Sequence, residues 1–223
     1  MVPPNLCLQI CSDKTGTLTQ NRMTVVRGIA SAIEFGQAVE TLNKDISAGA
    51  KSLLFESVAT NSTAYEGTTP KGLEFLGNKT ECALLGFTKK LGSNFKVSLL
   101  FYFPDMSNSA TSKQTNKQKK IQTIRDTLEM VELVPFSSAR KSMATVVSIS
   151  KGKMRSHVKG ASEIVLGMCT HHLNLKGESV PLTDADKKKY EALIQNMAEG
   201  ALRTICLAYR DASEGPLAFF LSS

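Results

Sequence analysis

The apolar run Leu6 to Ile10 breaks off into the polar string Cys11-Ser12-Asp13-Lys14-Thr15-Gly16-Thr17-Leu18-Thr19, and this junction narrows most what the 223-residue chain can fold into. A short apolar stretch closed by a glycine-containing polar loop reads as a buried strand entering a turn. An acidic residue at the carboxyl end of such a strand, here Asp13, lies where open α/β sheets place ligands. The hydroxyls and glycine after it let backbone N–H groups close on phosphate oxygens. That carboxylate can attack a phosphoryl group and form an acyl phosphate if Mg²⁺ offsets the charge of the approaching oxygens.

The remainder of the chain reads as one mixed α/β unit. Met23 to Ala30 is a candidate strand, and Asp45 to Thr60 a candidate helix with Ile46, Leu53, Leu54 and Val58 near helical spacing. Thr80 to Leu91 reads as a helix capped by Asn78 or Thr80, with Glu81 at its positive end and Lys89, Lys90 and Gly92 at the other. Residues 105 to 120 hold no apolar periodicity and too little to bury, so they are expected to be a disordered insertion. Strands are expected over Glu129 to Phe136, Met143 to Ser150 and Lys153 to Lys159, the last two joined at Lys151-Gly152 as a hairpin. Ser162 is expected to cap a short helix to Cys169. Thr183 with Asp186 begins another helix as a capping box, with the apolar stripe Tyr190, Leu193, Ile194 and Met197. Arg203 to Arg210 reads as a half-buried strand. Hairpin connections point to an antiparallel sheet flanked by helices.

Composition limits the partners. Apolar residues make up 42 % of the chain and charged residues 21 %, an ordinary globular balance. The net charge of +7 would suit a polyanionic ligand, an acidic membrane or nucleic acid. Much of the excess sits in Lys113, Lys117, Lys119 and Lys120 opposite Asp105 alone, which a solvated basic loop explains. Aromatics are 6 % of residues and none interleaves with those lysines, which speaks against a nucleic-acid partner. Cys7, Cys11, Cys82, Cys169 and Cys206 form no C-x-x-C pair, and His171 and His172 lack metal-ligand neighbours, so reduced thiols in a cytosolic compartment are expected. The sequons at Asn61 and Asn78 carry no meaning in such a segment. No run approaches the roughly 20 apolar residues that span a bilayer, and the start lacks the regions of a signal peptide.

Three features give the chain its resemblance to a known family. Asp13-Lys14-Thr15-Gly16-Thr17-Leu18-Thr19, continued by Asn21-Arg22-Met23-Thr24-Val25, resembles the P-type ATPase phosphorylation signature. Many haloacid-dehalogenase-type phosphatases carry a second Asp two places after the nucleophile, as general acid and base. Thr15 stands there in this chain, so an acyl phosphate made here is expected to persist, as a pump requires. No G-x-x-x-x-G-K-[ST] loop is present. In its place four segments, Gly77 to Phe87, Pro135 to Met143, Lys159 to Glu163 and Leu202 to Thr204, resemble in order the ATP-binding motifs of that family. The strings Gly77 to Phe87, Lys159 to Val165 and Arg203 to Asp211 are most similar to plasma-membrane calcium pumps.

This resemblance, over residues 6–211, implies specific roles. Asp13 would be the phosphoryl acceptor, with Lys14, Thr15 and Thr17 around it and Mg²⁺ held by Asp13 and the Thr15 backbone carbonyl. Glu81 would lie near adenine, Phe136 would stack on it, and Lys141, Lys159 and Arg203 would meet the triphosphate, with Gly160 permitting close approach. Stacking on an aromatic is worth ~1–3 kcal/mol, and arginine is the side chain suited to forked phosphate contacts. Ser138 stands where some relatives place arginine. The implied fold is the family's nucleotide-binding domain over residues 28–211. Residues 1–27 would be the first strand and phosphorylation loop of an incomplete haloacid-dehalogenase-like domain, and 212–223 a divergent tail. The T-G-E and G-D-G-x-N-D motifs and the membrane helices of a complete pump are not in this sequence. The chain is therefore expected to be a truncated piece at the cytosolic face of a membrane, that membrane being the plasma membrane by resemblance. It would bind ATP with little or no turnover, and calcium would reach it only through the missing membrane domain. A stand-alone ATP-binding or regulatory protein is the alternative.

Overall fold

The computed structural model describes residues 20–37, 39–70, 72–92 and 128–213. The Asp13 loop with Lys14, Thr15 and Thr17, the 105–120 insertion and the tail after Ser213 lie outside them.

The strands expected in the second half of the chain form one four-stranded antiparallel sheet. β5 (Glu129–Ser137), β6 (Ser142–Ser150), β7 (Lys153–Ala161) and β10 (Ile205–Ser213) lie in the order β10-β7-β6-β5. The turn at Lys151-Gly152 joins β6 to β7 as the sequence indicates. Three smaller hairpins surround the sheet: β1 (Gly28–Ala30) with β2 (Ile33–Phe35), β3 (Tyr65–Thr69) with β4 (Gly72–Leu76), and β8 (His171–Leu173) with β9 (Ser179–Pro181).

Five helices complete the described fold: α1 (Val39–Asp45), α2 (Ala48–Thr60), α3 (Lys79–Lys90), α4 (Ser162–Met168) and α5 (Asp184–Glu199). On one side of the sheet α2 and α3 enclose the main core, where Leu42, Phe55, Val58, Leu85, Phe87 and Val147 are buried. Phe35 stacks on Phe87 with ring centroids 5.2 Å apart, which docks the first hairpin onto this core. α4 packs against β7 and β10 on the other side, with Val165 and Leu166 buried and α5 behind it. The sheet is thus covered on both faces, which explains why β7 is buried at successive residues from Arg155 to His157 rather than at alternate ones.

Local chemistry sets most boundaries. The Asn78 side chain caps α3 by accepting from Thr80 N at 2.9 Å. Thr183 and Asp186 form the full capping box of α5. Three expectations are corrected. The helix expected from Asp45 begins at Ala48, because the Ser47 side chain accepts from Ala50 N and caps α2 there, while Asp45 ends the separate helix α1. Ser162 does not cap α4: Ala161 holds that position, and Ser162 is its buried first residue. The strand expected over Met23 to Ala30 is confined to Gly28–Ala30. Among the described residues no helix is long and apolar enough to cross a membrane.

Cys82, Cys169 and Cys206 are free thiols, as expected. The thiols of Cys169, just after α4, and Cys206, on β10, shift each other's protonation in opposite directions. The S–H of Cys206 holds the Cys169 thiol down at about 7 against the effect of burial, with the charge of Lys187 assisting. The same contact and burial push Cys206 up. Iodoacetamide followed by peptide mass spectrometry should therefore label Cys169 with a midpoint near pH 7. Cys82, whose thiol is raised by burial, should react more slowly at that pH, and Cys206→Ala should move the Cys169 midpoint up toward 9.0.

Candidate functional site

Antiparallel pairing brings four distant segments to one end of the sheet. Ser142 pairs with Gly160 and Met143 with Lys159 across β6 and β7. Ile205 pairs with Ala161 across β7 and β10, so Arg203 enters β10 at this same end. Ser137 pairs with Ser142, which places Phe136 at the corresponding end of β5, within a register shift between Val134 and Ser137. The tight turn between β5 and β6 is fixed by Lys141 N donating to Ser137 O at 2.7 Å, with Lys141 itself in the left-handed region at φ 50°. The Lys141 carbonyl then accepts from Ala161 N at 3.0 Å and ties the turn to the end of β7.

Gly160 is demanded by this junction. A Cβ there would stand 2.6 Å from Lys141 O and 2.9 Å from Ser142 Cβ. The close approach it permits within the protein is therefore that of the neighbouring strand's turn.

The site side chains are disposed unequally. Phe136 is 60 % exposed, an unusual cost for a ring of this size, and Lys141 and Arg203 are exposed. Lys159, by contrast, is buried, and its Nζ donates to Asn61 O and to Glu81 Oε1, both at 2.5 Å. Asn61 sits at the C-terminus of α2, where the helix dipole favours a cation. Asn61 is itself fixed by its amide, which donates to Met143 O and His157 O at 3.2 and 3.1 Å.

Glu81 is buried in the first turn of α3. Its Oε2 accepts from Thr63 N and Thr63 Oγ1 at 2.8 Å each, from Ala64 N at 3.0 Å and from Ser62 Oγ at 3.3 Å. Burial pushes this carboxyl up, but the hydrogen bonds and charge of Lys159, with the donors of Thr63, outweigh it and hold the group below its ordinary value. Gly77, at φ 130°, makes the arrangement possible: a Cβ there would lie 2.9 Å from Ala64 Cα, so only glycine lets the start of α3 approach this loop.

Below Lys159 the same face of β7 carries two more basic residues. His157, fully buried, donates from Nε2 to Glu56 Oε1 at 2.9 Å. Arg155 makes a fork with Asp211, Nε to Oδ1 at 2.6 Å and Nη2 to Oδ2 at 2.8 Å, and reaches Glu56 with Nη1 at 3.4 Å. The sequence carries a signal for this network in the alternation Arg155-x-His157-x-Lys159 along a buried strand, which demands acids opposite. Which acids answer is decided by tertiary packing. Among the described residues no cluster of three or more His, Cys, Asp or Glu is placed to hold a metal ion.

With this geometry in view, comparison with known proteins is decisive. The sequence model of the P-type ATPase cytoplasmic domain N matches residues 49–221. The chain belongs to the P-type ATPase family. It is 42 % identical over 211 residues to calcium-transporting ATPase PAT1 of Dictyostelium discoideum, covering 94 % of this chain and 16 % of that protein. It is 36 % identical over 209 residues to plasma membrane calcium-transporting ATPase 4 of Homo sapiens, covering 91 % of the chain and 15 % of the relative. Plasma membrane-type calcium-transporting ATPase 10 of Oryza sativa subsp. japonica is 35 % identical over 211 residues, covering 92 % and 18 %. This P-type ATPase segment thus spans less than a fifth of the length of the curated relatives it matches.

Two stability measurements probe the junctions of this domain. The folded-state pKa of Glu81 lies below its ordinary 4.5, so its contribution is present above that pH and is lost as pH falls through the folded value. Urea unfolding should show that acid limb, and Glu81→Gln should flatten it while costing ~3–5 kcal/mol at pH 7. Gly160→Ala should cost ~1–3 kcal/mol by the same assay. Gly167→Ala, with nothing within 4 Å of the new Cβ, serves as a control that does not destabilise.

Proposed function

We propose that this chain is the ATP-binding piece of an ATP-driven calcium pump, with the nucleotide held at the end of the sheet where Phe136, Lys141, Lys159 and Arg203 converge. The observation that carries the reading is that convergence: segments more than sixty residues apart in sequence meet across four strands, beside an aromatic ring left 60 % exposed. An exposed phenylalanine offers a stacking face for a purine, and two exposed cations with a third buried one offset a triphosphate's charge. Gly160 supports the turn that carries Lys141.

The phosphoryl acceptor would be Asp13, in its loop with Lys14, Thr15 and Thr17. Asp13 and the Thr15 carbonyl would hold Mg²⁺, which would supply charge neutralisation to phosphoryl transfer. The relatives' names motivate calcium as the transported ion and the cytosolic face of the plasma membrane as the location. Both depend on membrane and actuator domains beyond this sequence, so the chain alone would hold a nucleotide without transporting an ion.

Isothermal titration of the 223-residue chain with Mg-ATP tests the pocket. Phe136→Ala should weaken binding by ~1–3 kcal/mol, about ten- to a hundredfold, with circular dichroism unchanged. Arg203→Ala should weaken ATP more than adenosine. Affinity unchanged in both variants would overturn the reading.

A further inference from the structure

We infer that Cys169 and Cys206 form an oxidation site, at which a peroxide joins the two thiols in a disulfide that ties the end of α4 to β10. The inference does not depend on the nucleotide pocket.

The fold brings the two residues together. Leu207, Tyr209 and Asp211 of β10 pair with Lys159, His157 and Arg155, and so share the face of the sheet covered by α2 and α3. Side chains alternate along a strand, which puts Cys206 on the opposite face, against which α4 packs. Its cross-strand partner there is Gly160, so β7 sets no side chain directly beside it. Cys169 follows α4 as its C-cap, with its N–H held by Leu166 O at 3.1 Å and its backbone turned to an extended conformation. This seats the Cys169 sulfur where the S–H of Cys206 hydrogen-bonds to it. Both residues are half-buried, and β10 is an edge strand among the described residues, which leaves the pair open to a small oxidant. Cys82 gives the contrast: its thiol donates to the Phe75 carbonyl at 3.3 Å rather than to a sulfur.

The chemistry divides between the two sulfurs. A thiolate is the form that attacks a peroxide. The Cys206 S–H and the Lys187 ammonium of α5 hold Cys169 at about 7, so much of it is thiolate at neutral pH. The Cys169 sulfur attacks one peroxide oxygen, the O–O bond breaks, hydroxide leaves, and Cys169 becomes a sulfenic acid. That step removes the Cys169 charge, one of the causes that push Cys206 up. The Cys206 sulfur then attacks the Cys169 sulfur, and its proton joins the departing hydroxyl, which leaves as water. In sum, two thiols and one hydrogen peroxide give one disulfide and two waters, the two electrons passing to the peroxide oxygens. A cellular thiol reverses the bond by exchange, as for the transient disulfides of a reducing compartment.

The 223-residue chain itself provides the test. It is treated with hydrogen peroxide at neutral pH, quenched with N-ethylmaleimide, cut with trypsin and read by mass spectrometry. The expected product is the peptide 160–176 joined to the peptide 204–210, two hydrogens lighter than their sum and released by dithiothreitol. In a mixture of light and isotopically heavy chains, each joined pair should carry one label only, which marks the bond as internal to one molecule. Cys169 should leave the alkylatable pool at least about tenfold faster than Cys82. Oxidation of Cys169 with Cys206 still fully alkylatable would overturn the proposal. So would a product in which Cys169 is joined mainly to Cys7, Cys11, Cys82 or a second chain. Cys206→Ser should stop the reaction at the Cys169 sulfenic acid, which dimedone captures. A Cys169 that stays a thiol in that variant, with its circular dichroism unchanged, would refute its role as the attacking sulfur.

Discussion

Three basic side chains buried on one face of β7 are the constraint around which the described domain is arranged. Arg155, His157 and Lys159 point to the side covered by α2 and α3, and each meets an acid from another element: Asp211 of β10, Glu56 of α2 and Glu81 of α3. A buried ion pair adds little net stability, because desolvation consumes most of its Coulomb energy. Separating the partners, however, leaves an uncompensated charge at a cost of several kcal/mol. Any packing of α2, α3 or β10 that misplaces an acid is therefore excluded. The apolar core of Phe55, Val58, Leu85 and Phe87 supplies the driving force, and the ionic face selects the arrangement.

The arrangement brings Phe136, Lys141 and Arg203 together at the sheet's end and does the selecting along its length. Lys159 belongs to both, as the last of the three buried basic residues and the member nearest the convergence of Phe136, Lys141 and Arg203. Its neighbour Gly160 lets the turn carrying Lys141 lie directly against β7. Position at this end thus comes from strand pairing and a tight turn, which are rigid.

Much of this was legible in the sequence wherever the cause is local. The β6–β7 hairpin, the Asn78 cap and the Thr183–Asp186 box each depend on residues within a few positions, and the structure bears them out. The antiparallel sheet flanked by helices and the family resemblance are legible for the same reason: both rest on contiguous strings. Readings failed where two local signals competed. Ser47 and Ser162 are both serines near helix starts, yet only Ser47 has extended backbone and a free amide in reach, while Ser162 is drawn into the interior. The short β3–β4 and β8–β9 hairpins leave no mark in the sequence, because three- to five-residue strands carry too little periodicity. The partners of Glu81 were beyond sequence reasoning: a first-turn acid explains itself by the helix dipole, and nothing nearby announces that a strand lysine almost eighty positions later will reach it.

The alternation of β7 has a consequence for how this domain can vary in length. Side chains along a strand exchange faces at each step, so one residue inserted between Arg155 and Lys159 would turn part of the basic row toward Val165 and Leu166 of α4, an apolar surface. Two inserted residues would restore the faces but slide each basic residue past its acid. Length changes are therefore absorbed where the two-residue parity is not read, at the Lys151-Gly152 turn, the end of β7 opposite Gly160. The row acts as a parity check on the polypeptide, intolerant of any shift in count within it.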